Sequence, residues 1–167
     1  MNLKVKYSES FRPFAPSVLR EDVANWFDLD NDSPYMRAVS GVRGKHRRQM
    51  SERDQALFEI GKLNVVRSTI YAVTHVDCSA RIQTVHARTN PRYHALISRL
   101  KELTGCPVIV NTSFNVRGEP IVCTPEDAFR CFMGTEVKML VIGNAVLLKD
   151  DQDPALKQDD KDSFELD

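Results

Sequence analysis

Cys106-Pro107-Val108-Ile109-Val110-Asn111-Thr112-Ser113-Phe114-Asn115-Val116-Arg117-Gly118-Glu119-Pro120 passes from an apolar run into a cluster of small polar residues. Residues 108–110 read as a short strand buried on both faces. Asn111, Thr112, Ser113 and Asn115 stand where that strand emerges, and open α/β sheets bind ligands just outside the carboxyl ends of their strands. Small amides and hydroxyls can hold a phosphate, a ribose or a carbonyl group without adding charge of their own. A polar turn closed by Gly118 and Pro120 is the other reading of the same residues. The flanking chain decides between them.

Two helices flank this stretch. Asn90-Pro91 supplies an N-cap and a proline at the first helical position. Tyr93, Leu96, Ile97, Leu100 and Leu103 keep helical spacing, and Gly105 ends the run. That stripe is expected to pack in the core. Downstream, Thr124-Pro125-Glu126-Asp127 starts a second helix with cap, proline and first-turn acids in their favoured places. Its buried side is expected at Ala128, Phe129, Cys131 and Phe132. Residues 137–142 and 145–148 read as strands joined by Gly143-Asn144, a hairpin signal. Residues 150–167 are acidic with little to bury, an acidic mobile tail.

Upstream, residues 1–7 alternate apolar and basic side chains as a half-exposed strand does, with Lys6 near its end. Phe11-Arg12-Pro13-Phe14-Ala15-Pro16 has two prolines that fix an extended loop, and the two phenylalanines can anchor it. Arg12 would then point in a defined direction, suited to a phosphate or carboxylate. Ser17 is expected to cap a helix running to residue 27. A turn at 28–34 and a strand at 35–42 follow. Arg43, Lys45, His46, Arg47 and Arg48 form a basic run, read as a solvated loop or a phosphate site. Residues 51–63 look helical and 63–73 lean towards strand.

Thr74-His75-Val76-Asp77-Cys78-Ser79-Ala80-Arg81-Ile82-Gln83-Thr84-Val85 then alternates polar and apolar residues. A strand here would fix the direction of Arg81 as the prolines fix that of Arg12. His75 with Asp77 is a metal or acid/base pair only if a third partner joins them.

The bulk properties narrow the functional classes. The chain has 167 residues, 42% hydrophobic and 28% charged, enough for one domain with a core. Net charge is zero, so nothing electrostatic argues for nucleic acid or membrane as a partner. The sequence has neither a membrane-length apolar stretch nor a signal-peptide core at its start. The cysteines at 78, 106, 123 and 131 show no metal-finger spacing with the histidines. Cys106 and Cys131, among apolar neighbours, are expected as buried thiols, which fits a reducing cytoplasm.

In this order the motifs resemble the C-terminal domain of the ATP-dependent O-carbamoyltransferases, which include nodulation and cephem or aminoglycoside antibiotic enzymes. The matching blocks are Lys6 with residues 11–16, then 74–77 with 80–85, then 111–115 with 118–122, within residues 3–149. The resemblance implies a YrdC-like α/β fold, a twisted mixed sheet with packed helices in a single domain over residues 1–149. It implies that carbamoyl phosphate and ATP, with Mg²⁺, are turned into a carbamoyladenylate. A preceding actin-like domain would then pass the carbamoyl group to a hydroxyl of a sugar or antibiotic, such as a nodulation lipo-chitooligosaccharide. Lys6, Arg12 and Arg81 are implied as the catalytic cations. Asn111, Ser113 and Asn115 join them in binding nucleotide and carbamoyl group, and no protein residue is implied as a metal ligand.

Three departures accompany the resemblance. The chain begins at the edge of this domain, so a separately encoded actin-like partner is expected to complete transfer. Ser8 stands where the family usually has Arg, and Cys78 where relatives often have Gly. A non-catalytic nucleotide-binding remnant or scaffold subunit is the competing reading. RNA binding through residues 43–48 is a third, opposed by the neutral charge and the lack of interleaved aromatics.

Overall fold

The computed structural model describes residues 5–6 and 13–156. The chain gathers into two compact units, one of Pro13–Thr112, the other of Met1–Arg12 with Ser113–Asp167.

The Pro13–Thr112 unit is built on four strands, β1 (Ala15–Leu19), β2 (Ala38–Gly41), β3 (Ser79–Val85) and β4 (Val108–Asn111). Their order is β2-β3-β1-β4. β1 runs parallel to β3 and antiparallel to β4, while β2 is antiparallel to β3. The sheet is therefore mixed, as expected, and the same unit holds helices α1 (Val23–Trp26), α2 (Glu52–Gln55) and α3 (Pro91–Thr104). One face carries Val18, Ala80, Ile82 and Val108, which pack with Val23, Phe27, Val42 and Val73 as the main core. On the opposite face Leu19 and Val85 pack against Ile97 and Tyr93 of α3. Alternation along the strands places Ala15, Ser17, Arg81, Gln83 and Asn111 on that same second face.

The other unit holds α4 (Pro125–Gly134) and a hairpin of β5 (Met139–Ile142) and β6 (Ala145–Leu148). Phe132 and Met133 of α4 pack against Leu140, with Leu147 and Ile142 alongside. Gly143 turns the hairpin in the left-handed region, at φ 59°. Thr124 caps α4 in a full capping box with Asp127, and Asn90 caps α3 through the Tyr93 N–H.

Several expectations need correction. Residues 15–19 form a strand with all five residues buried, not the start of a helix at Ser17. Ser17, Val18, Leu19 and Val23 share helical spacing, but between β3 and β4 the ladder wins. β4 is not buried on both faces. It is an edge strand, with Val108 buried and Ile109 to Asn111 half-buried. Residues 63–73 contain turns of 3₁₀ helix and no strand, and 51–63 split into α2 and a 3₁₀ segment at Glu59–Asn64. Val5 and Lys6 form a helical turn; the rest of the expected first strand lies outside the described residues. The expected tail opens with 3₁₀ turns at Lys149–Asp151 and Pro154–Leu156, and residues 157–167 lie outside the described residues. Among the described residues no helix is long and apolar enough to cross a membrane.

Candidate functional site

The polar stretch after β4 folds into a loop around the Lys6 ammonium. Lys6 Nζ donates to the Ser113 carbonyl, to Ser113 Oγ at 3.0 Å, to Asn115 O at 3.0 Å and to Asn115 Oδ1 at 2.8 Å. An ammonium has three N–H groups, so four oxygens must share them. Ser113 Oγ in turn donates to Asn115 Oδ1 at 2.6 Å. Lys6 thus meets two residues more than a hundred positions away in sequence at one atom.

The loop is shaped by its own backbone. The Glu119 N–H closes a four-residue turn on the Val116 carbonyl at 3.3 Å, with Gly118 at φ 78°. That left-handed third position is where a turn of this kind needs glycine. Asn115 Nδ2 donates to the Glu119 carbonyl at 2.8 Å, which turns Asn115 Oδ1 towards Lys6. Burial pushes the Lys6 ammonium below the ordinary lysine value, opposed by the charges of Cys131 and Glu119.

In the Pro13–Thr112 unit, Asn111 and Arg81 lie on one sheet face, on strands that flank β1. Asn111 Nδ2 reaches across β1 and donates to Gln83 Oε1 at 2.7 Å. Ser17 Oγ, wholly buried, donates to the same oxygen at 2.6 Å. Gln83 Nε2 donates to the Pro34 carbonyl at 3.0 Å. Ala15 and Ser17 on the intervening strand are small enough to let these amides meet. Asn111 Oδ1 keeps no partner among the described residues. Arg81, two residues before Gln83, is exposed, and its side chain has no hydrogen bond or ion pair among them.

Of the six residues singled out from sequence, the structure thus joins Lys6, Ser113 and Asn115 in one cluster and puts Asn111 and Arg81 on one sheet face. Arg12, like Ser8, lies outside the described residues. The sequence reading missed Gln83 and Ser17 as supports. Gln83 has a usable signal, its alternation with Arg81; Ser17 reads locally as a helix cap.

Other candidates resolve into local structure. His75 Nδ1 lies 3.0 Å from Ser79 Oγ, and Asp77 Oδ1 accepts the Ser79 N–H at 2.9 Å. The Ser79 hydrogen bonds hold the Asp77 carboxyl below its usual range. Both residues lock the turn before β3. Cys78 in that turn has φ 64°, the left-handed region where glycine is at ease. In the basic run, Arg43 and Arg47 both face Asp28, at 3.3 and 3.5 Å, and His46 stacks on Trp26 with ring centroids 3.7 Å apart. Cys131 is buried; Cys106 is half-buried, and burial pushes its thiol up.

Comparison with known proteins matches residues 1–149 to the family model described as Carbamoyltransferase C-terminus. An uncharacterized protein of Synechocystis sp. is 60% identical over 169 residues, covering 100% of this chain and 27% of that protein. Nodulation protein NolO of Bradyrhizobium diazoefficiens is 39% identical, over 89% of this chain and 24% of its own length. A 3'-hydroxymethylcephem-O-carbamoyltransferase of Streptomyces clavuligerus is 32% identical, over 84% of this chain and 23% of its own. The chain therefore spans about a quarter of the length of these relatives.

Proposed function

The chain belongs to the family of carbamoyltransferase C-termini, and from that premise we propose that it is the part of an O-carbamoyltransferase that forms carbamoyladenylate. The observation that carries this reading is the Lys6 ammonium held by Ser113 and Asn115, a pinned cation in a loop of neutral polar groups. Carbamoyl phosphate and ATP are the substrates. Hydrolysis of carbamoyl phosphate frees phosphate and leaves carbamate. A carbamate oxygen attacks the α-phosphorus of ATP, and the bond to pyrophosphate breaks. The step gathers anionic oxygens, so positioning and charge do most of the work.

Lys6, Arg81 and Arg12 supply that charge. Phosphate oxygens would take over part of the set of oxygens that Lys6 holds now. Asn111 meets the carbamoyl group, whose amide needs an acceptor such as its Oδ1, which keeps no partner among the described residues. Mg²⁺ enters with ATP on the phosphates. Among the described residues no three His, Cys, Asp or Glu stand together to hold a metal.

Transfer to an acceptor falls to an actin-like domain, and a sugar-type hydroxyl receives the group. A nodulation lipo-chitooligosaccharide is one such acceptor, in keeping with the name of the NolO relative. The cytoplasm, where ATP is plentiful, is the matching compartment.

The test is pyrophosphate release by the purified chain given ATP, Mg²⁺ and carbamoyl phosphate, with and without an added actin-like polypeptide. Release that requires carbamoyl phosphate and is lost in Asn111→Ala supports adenylate formation. A folded chain that releases none in either tube overturns it, leaving a nucleotide-binding subunit without catalysis.

A further inference from the structure

Glu119 lies next to the Lys6 loop, and the reading of that loop leaves it without a role. Its side chain is 2% exposed, on a residue type that is seldom fully buried without a partner. Oε2 accepts the Val116 N–H at 2.9 Å. Oε1 is buried with no hydrogen-bond partner among the described residues, and Arg130 Nη2 lies 3.7 Å from it. Arg130 is shared with Asp127, at 3.0 Å, and its side chain is 43% exposed, so it satisfies Glu119 incompletely. Burying a carboxylate is costly unless nearby positive charge offsets it.

The second positive charge is Lys6. Glu119 is tied to the Lys6 loop at three points. Its carboxylate fixes the Val116 amide, its carbonyl takes Asn115 Nδ2 at 2.8 Å, and its own N–H closes the turn on Val116. The carbonyl and amide contacts would survive any change of side chain. The carboxylate contributes what backbone cannot, a negative charge fixed beside an ammonium that burial disfavours.

We propose that Glu119 is a positioning residue of this site, whose buried carboxylate holds the 113–119 loop in shape and keeps the Lys6 ammonium seated among the Ser113 and Asn115 oxygens. The role rests on the reading of Lys6 as the site's cation. It assigns to the Gly118-Glu119-Pro120 segment an electrostatic task in addition to its turn.

Among the described residues, the groups that face Lys6 besides Glu119 are the Cys131 side chain of α4 and, through Glu119, Arg130 of the same helix; Arg117 bonds its backbone N–H to the Lys6 carbonyl. All are retained in the Glu119→Gln variant, which keeps shape and removes charge. The measurement is a pH titration of the Lys6 side-chain resonances by NMR, in the full chain without ATP. Lys6 is expected to lose its proton at lower pH in Glu119→Gln than in the unaltered chain. In Glu119→Asp, which keeps the charge one methylene further back, the midpoint is expected to lie between the two.

If Glu119→Gln does not fold, the Asp variant decides by itself, since a smaller shift in the same direction is still required. Lys6 titrating as in the unaltered chain, in either folded variant, would overturn the proposal; a purely structural glutamate would give that result. Because the titration needs no turnover, it stands whether or not pyrophosphate is released. Failure of adenylate formation alone therefore leaves this role intact and removes only the reaction it serves.

Discussion

Lys6 Nζ makes two hydrogen bonds to a single residue, Asn115, at 2.8 Å to the side-chain oxygen and 3.0 Å to the carbonyl. Two bonds from one ammonium to one residue fix both its distance and its direction. The cation therefore has a defined place before any ligand arrives, as electrostatic catalysis requires.

Asn115→Ala removes the side-chain half of that grip while the Asn115 and Ser113 carbonyls remain. Pyrophosphate release is expected to fall by about 10²–10³-fold, the usual loss for one preorganised polar group. Lys6→Arg should not restore a Lys6→Met loss. A planar guanidinium does not fit a compact set of oxygens arranged for an ammonium. Steady-state pyrophosphate assays on the three variants check both outcomes.

Burial is the main reason that Lys6 sits below the ordinary lysine value. It is charged below its folded-state midpoint and neutral above it, so affinity for ATP is expected to decline as pH rises through that midpoint. Between the folded and the unfolded midpoint the unfolded chain binds more protons. Over that alkaline window Lys6 makes stability rise with pH, while the same rise weakens nucleotide binding. Calorimetric ATP titrations and urea melts over one alkaline series would show opposite slopes, and Lys6→Met would lose both.

Gln83 is the hub through which Asn111 and the buried Ser17 hydroxyl are satisfied. Gln83→Leu leaves that hydroxyl unpaired at a fully buried position, at a cost of about 1–3 kcal/mol. Adding Ser17→Ala should recover much of the loss, because an apolar pair needs no partner. Urea melts on both variants measure this. Asn111 stays untethered in each, so a binding defect for carbamoyl phosphate should persist in the double variant.

Cys78 holds a left-handed backbone conformation at φ 64°. Cys78→Gly is expected to stabilise the chain by about 1 kcal/mol, the usual cost of that conformation for a residue with a Cβ. Thermal unfolding should show the rise, and Cys78→Val should move the midpoint the other way.

Thr124 and Asp127 cap α4 reciprocally. Thr124→Ala should cost about 1 kcal/mol. The Thr124 side chain, with the Cys123 and Thr124 amides and Arg130, holds the Asp127 carboxyl below its usual range. A depressed carboxyl contributes stability that is full above the unfolded-state midpoint and is lost as pH falls through the folded one. Acid unfolding curves of Asp127→Asn are expected to be flatter through that window.

Elements with several agreeing local signals were legible in the sequence. α3 has its Asn90 cap, Pro91 and Gly105 at φ 74°, and α4 has Thr124, Pro125 and Asp127, so both ends needed no tertiary knowledge. β1 was not legible, because Ser17, Val18, Leu19 and Val23 suit a helix and only the flanking strands make them a ladder. The apolar run of β4 could not say whether a strand lay beyond it, and among the described residues none does. At the site, the polar residues after an apolar run pointed to Ser113 and Asn115, and resemblance added Lys6. Gln83 and Glu119 act through neighbours that are distant in sequence or hidden in the core, and no local pattern announces such partners.

The hydrogen bond from Gln83 to the Pro34 carbonyl has a reach beyond its 3.0 Å. A carbonyl can only accept, so Gln83 must show it the nitrogen end of its amide and turn the oxygen end to Ser17 and Asn111. Asn111 must answer with its own nitrogen, which leaves its oxygen outward. The polarity of a side chain on β4 is thus dictated from residue 34, relayed through one glutamine. An incoming group that presents hydrogen to Asn111 is welcomed; one that presents only a lone pair is turned away. Discrimination between an amide and a carboxylate of nearly equal size can be written this way, in the orientation of a dipole, with no change in the shape of the sheet.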